Sequence, residues 1–133
     1  MSTAKYPPTK GTQDRRIDVR LPVRRLNVLI AGTLLSTVDI SANGARIHCS
    51  KEQFPLIRPQ LSGEIEISIE LPIGREVSAT AHVCHIQQEP SDVFIGLAFE
   101  SFHYRDEAGW LAFMASKRRE FDREEPSLEA QSA

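Results

Sequence analysis

A mainly β domain, a six-stranded antiparallel barrel followed by one C-terminal helix, is the fold class the sequence predicts. Three observations point to it. Between residues 26 and 99 apolar side chains recur at every second position in six short runs. Turn-forming residues separate those runs at close intervals. Beyond residue 103 the period changes from that of a strand to that of an amphipathic helix.

Leu26, Val28 and Ile30 alternate through the first strand, and Gly32-Thr33 supplies a turn. Residues 34–40 form the second strand, which runs into Asp39, Ser41 and Gly44. Residues 44–50 form the third, with Ala45 and Ile47 on one face and Arg46 and His48 on the other. Pro55 and Pro59 mark residues 51–62 as a connecting loop. The fourth strand alternates Ile65, Ile67, Ile69 and Leu71 with Glu64, Glu66, Ser68 and Glu70, which predicts one buried and one wet face. Pro72, Ile73 and Gly74 turn the chain into the fifth, carried by Val77, Ala79, Ala81 and Val83. Residues 89–92 break it, and residues 93–99 make the sixth, where Gly96 signals a bulge or a close approach.

The helix places Tyr104, Ala108, Leu111 and Ala115 beside Trp110, Phe113 and Met114 on a broad apolar side. Asp106 and Glu107 open it and Lys117, Arg118 and Arg119 lie near its end, in keeping with the helix dipole. Trp110 and Phe113 are expected in the core; the alternative is an apolar patch used by a partner or by a second copy in a homodimer. Residues 1–14 read as a flexible basic leader, 15–121 as the folded unit and 122–133 as an unstructured tail.

The chain of 133 residues suits one domain with ordinary tails. No apolar run approaches the roughly 20 residues of a membrane span, and the N-terminus lacks the apolar stretch of a signal peptide, so a cytoplasmic location is expected. Two cysteines, Cys49 and Cys84, are too few for a disulfide framework. Charge is unevenly placed. Residues 1–25 hold seven basic and two acidic side chains, a net +5 in a chain whose total is −2. A basic leader on an acidic body suits a local anion site better than general nucleic-acid binding, which needs a broad basic face. Exposed aromatics for stacking single strands are also missing from the strands, which show mostly Glu, Ser and Thr.

Arg15, Arg16 and Arg20 precede Asp39, Ser41 and Gly44 across one predicted strand. That set suits a small anionic purine ligand. Arginine forks match phosphate oxygens or the O6/N7 edge of guanine. Asp39 accepts from a guanine N–H edge or braces an arginine, Ser41 offers a hydroxyl, and Gly44 meets a need for positive φ or for no side chain. Asn43, tolerant of left-handed geometry, and Gly96 are secondary ligand candidates.

Arg16 and Arg20 as Arg-x-x-x-Arg, followed by Asp39, Ser41 and Gly44 as Asp-x-Ser-x-x-Gly, resemble the PilZ domain over roughly residues 14–115. The resemblance includes the hairpin at residues 71–74, the strand holding residues 96–99 and the following helix. It implies a split six-stranded barrel and a receptor for cyclic di-GMP in which Arg16 and Arg20 contact guanine edges and phosphates. Arg15 resembles the arginine of receptors that take a stacked pair of ligands, so one or two cyclic di-GMP molecules per chain are implied. Val19 stands where the family often has proline and removes no ligand group. Arg24 and Arg25 add to the positive field or face water.

The function expected is that of an adaptor, not an enzyme: ligand orders the arginine-bearing N-terminal segment and an unidentified effector protein reads the changed surface. The alternative is a PilZ-fold interaction module that does not depend on nucleotide. No cofactor or metal is expected. His48-Cys49 and Cys84-His85 offer zinc-like ligands, but neighbours in a strand point to opposite faces. His82 and His103 have no partner legible in the sequence, and Ser41 has no nearby base.

Overall fold

The structure, a computed structural model, describes residues 19–72 and 74–132. Arg15, Arg16 and the leader boundary at residue 14 lie outside the described residues.

Six antiparallel strands close a barrel in the order β1-β2-β3-β6-β5-β4. They are β1 (Asn27–Ile30), β2 (Thr33–Ser41), β3 (Gly44–Ser50), β4 (Glu64–Glu70), β5 (Glu76–Gln88) and β6 (Asp92–Phe102). The alternation read from the sequence sets which residues face inward. Ile65, Ile67 and Ile69 on β4, Val77, Ala79 and Ala81 on β5, and Val93, Ile95 and Leu97 on β6 are all buried in the barrel core.

The first hairpin turns on Ala31 and Gly32, both at positive φ (51° and 80°), one residue earlier than the sequence suggests. This two-residue geometry follows the right-handed twist of the strands it joins. Residues 51–62 are more ordered than a connecting loop. They contain a helical turn, α1 (Phe54–Ile57), and a 3-10 turn at Arg58–Gln60. Phe54, Ile57 and Leu61 are buried and join the core. Pro55 occupies the first turn, where a missing N–H costs little, so proline here starts a helix.

The C-terminal helix, α2, spans Asp106–Ser132 and packs on β5 and β6. It includes the segment 122–132, for which the sequence suggests an unstructured tail; apart from Pro126 the run is rich in helix formers. Asp106 docks its first turn: the carboxylate accepts from the Ser78 N–H at 2.9 Å, and Arg75 approaches it at 3.8 Å. The apolar side is narrower than expected. Trp110 and Met114 are buried and Phe113 and Phe121 pack against the core, whereas Tyr104, Ala108, Leu111 and Ala115 face solvent. Spacings of three, four and eleven residues from Trp110 define one stripe; the discarded set follows a line rotated away from the barrel. Trp110 lies edge-on to Phe99 (5.4 Å) and stacks near Phe102 (6.3 Å).

Residues 21–26 are laced along β2. Leu21 and Ile40 exchange backbone hydrogen bonds of 2.8 and 2.9 Å, Arg25 N–H donates to the Thr37 carbonyl, and Thr37 N–H donates to the Leu26 carbonyl. Thr37 is the buried hub of this seam. Its hydroxyl donates to the Val23 carbonyl at 2.8 Å and accepts from the Leu26 N–H at 3.1 Å. β2 carries an extra residue at Val38, between the pairs Thr37↔Ile47 and Asp39↔Arg46. Without that bulge Thr37 and Asp39 would share a face; with it Thr37 stays inside and Asp39 turns outward. Among the described residues, no helix is long and apolar enough to cross a membrane.

The face made by β4, β5 and β6 is acidic and carries its own histidines. His82 bonds Glu100 at 2.6 Å and His103 bonds Glu66 at 3.0 Å, partners that only strand pairing reveals. A side-chain hydrogen bond with Glu100, and that group's charge, push the Glu64 carboxyl above its usual range, while Thr80 and His103 hold Glu66 below it.

Replacing Thr37 with Val strands a buried carbonyl and N–H, so urea unfolding should show a loss of about 1–3 kcal/mol. Thr37→Ser keeps both bonds and should lose about 1 kcal/mol, the value of a methyl group. Glu64, with its raised folded-state pKa, stabilises the fold when protonated and loses that contribution as pH rises through the pKa. Glu64→Gln should therefore raise the urea midpoint at neutral pH, with the gain vanishing in acid; an equal gain at both pH values would contradict the assignment.

Candidate functional site

The two halves of the sequence motif meet on the outer face of β2 and β3. The Leu21–Ile40 bridge sets Arg20 beside the end of β2, where its Nη1 lies 2.7 Å from Asp39 Oδ1. Arg20 is half exposed, so one edge of its guanidinium is held and the remaining donors face solvent. A pair this exposed contributes about 0–1 kcal/mol to stability. Its consequence is orientation: Asp39 holds one edge of the Arg20 guanidinium at the end of β2.

Ser41 and Gly44 close the β2–β3 hairpin around Ala42 and Asn43. Ser41 is wholly buried. Its hydroxyl donates to the Gly44 carbonyl at 3.4 Å, and its own carbonyl accepts from Trp110 Nε1 at 3.3 Å. The motif turn is therefore bonded to α2. Asn43 is not at positive φ; its carbonyl accepts from the Phe99 N–H at 2.8 Å. Gly44 is not at positive φ either. It is required for space, because a Cβ there would run into the Leu97 carbonyl oxygen.

Arg46 is a site residue that the motif does not contain. It faces Asp39 across the β2–β3 pair, with Nη1 3.9 Å from Asp39 Oδ2, and its guanidinium lies 5.1 Å from the Phe94 ring centroid. Its Nε is buried and has no hydrogen-bond partner among the described residues. The signal was present in the sequence, since alternation from Ala45 and Ile47 turns Arg46 outward. What was missing is the Val38 bulge that turns Asp39 to meet it.

Gly96 does mark a close approach, and its neighbour is protein. A Cβ on Gly96 would lie 2.5 Å from His85 Cε1 and 2.8 Å from Nδ1. The bulge expected near Gly96 is on the opposite strand, at Cys84, between the pairs Val83↔Leu97 and His85↔Gly96. It breaks the alternation, so Cys84 and His85 are both exposed. At the other such pair the alternation holds: Cys49 is buried, its thiol pKa raised by burial, while His48 faces out and bonds Asp92 at 2.6 Å.

Arg20 and Arg46 thus line an outward strip, held by a shared carboxylate. Comparison with known families decides what this barrel is, as residues 12–113 match the PilZ domain. The chain belongs to the PilZ domain family. Among solved structures, this PilZ domain resembles one described as Bacillus subtilis inhibitor of motility (MotI/DgrA), at a TM-score of 0.64 and 22% identity. The match covers 81% of this chain and 52% of that one, so the chain spans about half the length of that protein, and the likeness is one of fold. No curated protein matches the sequence.

Gly44→Ala tests the closing of the hairpin. The methyl meets backbone that cannot turn aside, and thermal or urea unfolding should show a loss of about 1–3 kcal/mol. Unchanged stability would mean that the β3–β6 pairing at Gly44↔Ala98 is looser than described.

Proposed function

We propose that this PilZ domain is a cytoplasmic cyclic di-GMP receptor that acts as an adaptor for an effector protein and catalyses no reaction. The observation that carries this reading is the 2.7 Å pair between Arg20 and Asp39, which joins the two motif halves on one exposed surface. A guanidinium held at one edge is preorganised for a second, bidentate contact, and such a contact to guanine O6/N7 gives about 1–3 kcal/mol of discrimination. The family supplies the ligand class, and the basic leader supplies the charge that two phosphates require.

Arg16 lies one motif step before Arg20, and ligand draws it and Arg15 onto the same face. Ordering on binding is thus assigned to the segment before residue 19, because Arg20 is already in place. Contact between ligand and the Asp39–Gly44 turn is passed to α2 through the hydrogen bond from Trp110 to the Ser41 carbonyl. The helix surface is what an effector reads. A second reading, an interaction module that uses no nucleotide, is favoured by two observations: Ser41 is buried and Arg20 is already paired, as they would be in a purely structural role.

Isothermal titration with cyclic di-GMP separates the two. Binding is expected, together with a change in the emission of Trp110, the single tryptophan. Arg20→Ala should weaken binding at least about tenfold, as loss of a bidentate contact implies, with an unfolding temperature close to that of the parent. No heat from folded protein at tens of micromolar sinks the receptor reading, and an Arg20→Ala chain that unfolds assigns Arg20 to the structure. Two ligands per chain support the role given to Arg15; one counts against it.

A further inference from the structure

The middle of α2 is free of charge on every side. From Ala108 to Ser116 it holds no charged residue. Its charges gather at the two ends of that run, Asp106 and Glu107 before it and Lys117, Arg118 and Arg119 after it. A helix that is apolar all round is ordinarily a buried one. Here the barrel covers only one side, where Trp110 and Met114 are enclosed. Ala108, Leu111, Ala112 and Ala115 are all exposed, and they follow the spacing of one stripe rotated away from Trp110. Leu111, 44% exposed, is the one large side chain on that stripe. Contact with water does not account for these residues. An exposed helix face gains from i, i+4 charge pairs, such as the one Arg118 makes with Asp122 further along.

We propose that this stripe packs against the same stripe of a second copy of the chain, as an antiparallel helix pair about a two-fold axis. The charges at the two ends select that occupant. A two-fold contact has to be complementary to itself, and α2 is acidic before Ala108 and basic after Ser116. Turned end for end, a second α2 that sets its Ala115 level with Leu111 also brings its Arg118 and Arg119 level with Glu107. Parallel pairing would instead oppose Glu107 to itself and the arginines to themselves. One leucine among three alanines suits the same geometry. Each Leu111 meets an alanine, so the two axes can lie about 8 Å apart, the close end for packed helices. The ion pairs sit at the rim, where they choose direction and register more than they add affinity. The proposal does not depend on the nucleotide reading. It gives the hydrogen bond from Trp110 to the Ser41 carbonyl a further reach, because the helix tied to the motif turn is also the one that meets the other copy.

The test is sedimentation equilibrium of the full chain at low salt, over about 1–500 µM so that a weak dimer is seen, with folding checked by thermal unfolding. A monomer–dimer equilibrium is expected. Leu111→Glu should weaken it at least about tenfold while the chain stays folded, since the side chain is on the surface. Glu107→Arg should also weaken association, and adding Arg118→Glu and Arg119→Glu to that chain should restore it. A chain that stays monomeric over the whole range overturns the proposal and leaves the stripe to a partner of another kind. A dimer that Leu111→Glu does not disturb is held by another face, and overturns it as well. Failure of the combined charge reversal to restore association overturns the antiparallel direction.

Discussion

The rest of the site depends on the backbone bridge between Leu21 and Ile40, secured three residues earlier on β2 by the buried Thr37 hydroxyl. These bonds are made by groups that the barrel has taken out of water, where an unmade hydrogen bond costs more than a made one gains. The segment before β1 therefore has little freedom to leave β2 without unsatisfying several groups together. Arg20 inherits its position from that seam. The ion pair with Asp39 is weak by itself, being half exposed, and it refines an alignment that backbone pairing has already set. The order of dependence runs from buried hydrogen bonds to an exposed charge pair, and only then to ligand chemistry.

Much of the barrel is legible in the sequence because each strand of a half-buried sheet repeats one simple rule. Ile65, Ile67 and Ile69 obey it, as do Ala45 and Ile47, and their faces follow. The rule fails at Val38, at Cys84 and at Glu100, where one extra residue changes the phase of the strand. No composition cue marks any of these positions. Asp39 and His85 lie just beyond the bulges at Val38 and Cys84, so their outward placement is not legible in the alternation. The motif names Asp39 without its phase and is silent on Arg46. The helix shows a related limit: several apolar residues in one helix admit more than one stripe, and only the aromatic cluster of Phe99, Phe102 and Trp110 selects between them.

Charge is divided by position. The strip over β2 and β3 gathers arginines around one carboxylate, whereas the face of β4, β5 and β6 pairs Glu66 and Glu100 with histidines. An anion approaching the barrel meets attraction on one side and repulsion on the other, within a protein of nearly balanced total charge. Trp110 joins the helix to the motif turn, so packing and recognition share a contact. A side chain that serves the core also touches the carbonyl at the edge of the site.

The bulge in β5 also has a practical chemical consequence. It leaves the Cys84 sulfur open to solvent, while Cys49 is enclosed in the barrel with its thiolate disfavoured by burial. The two thiols therefore differ in reactivity without any engineering. An alkylating dye or spin label applied to the folded chain would attach at one address, next to His85, and report on that strip from the outside.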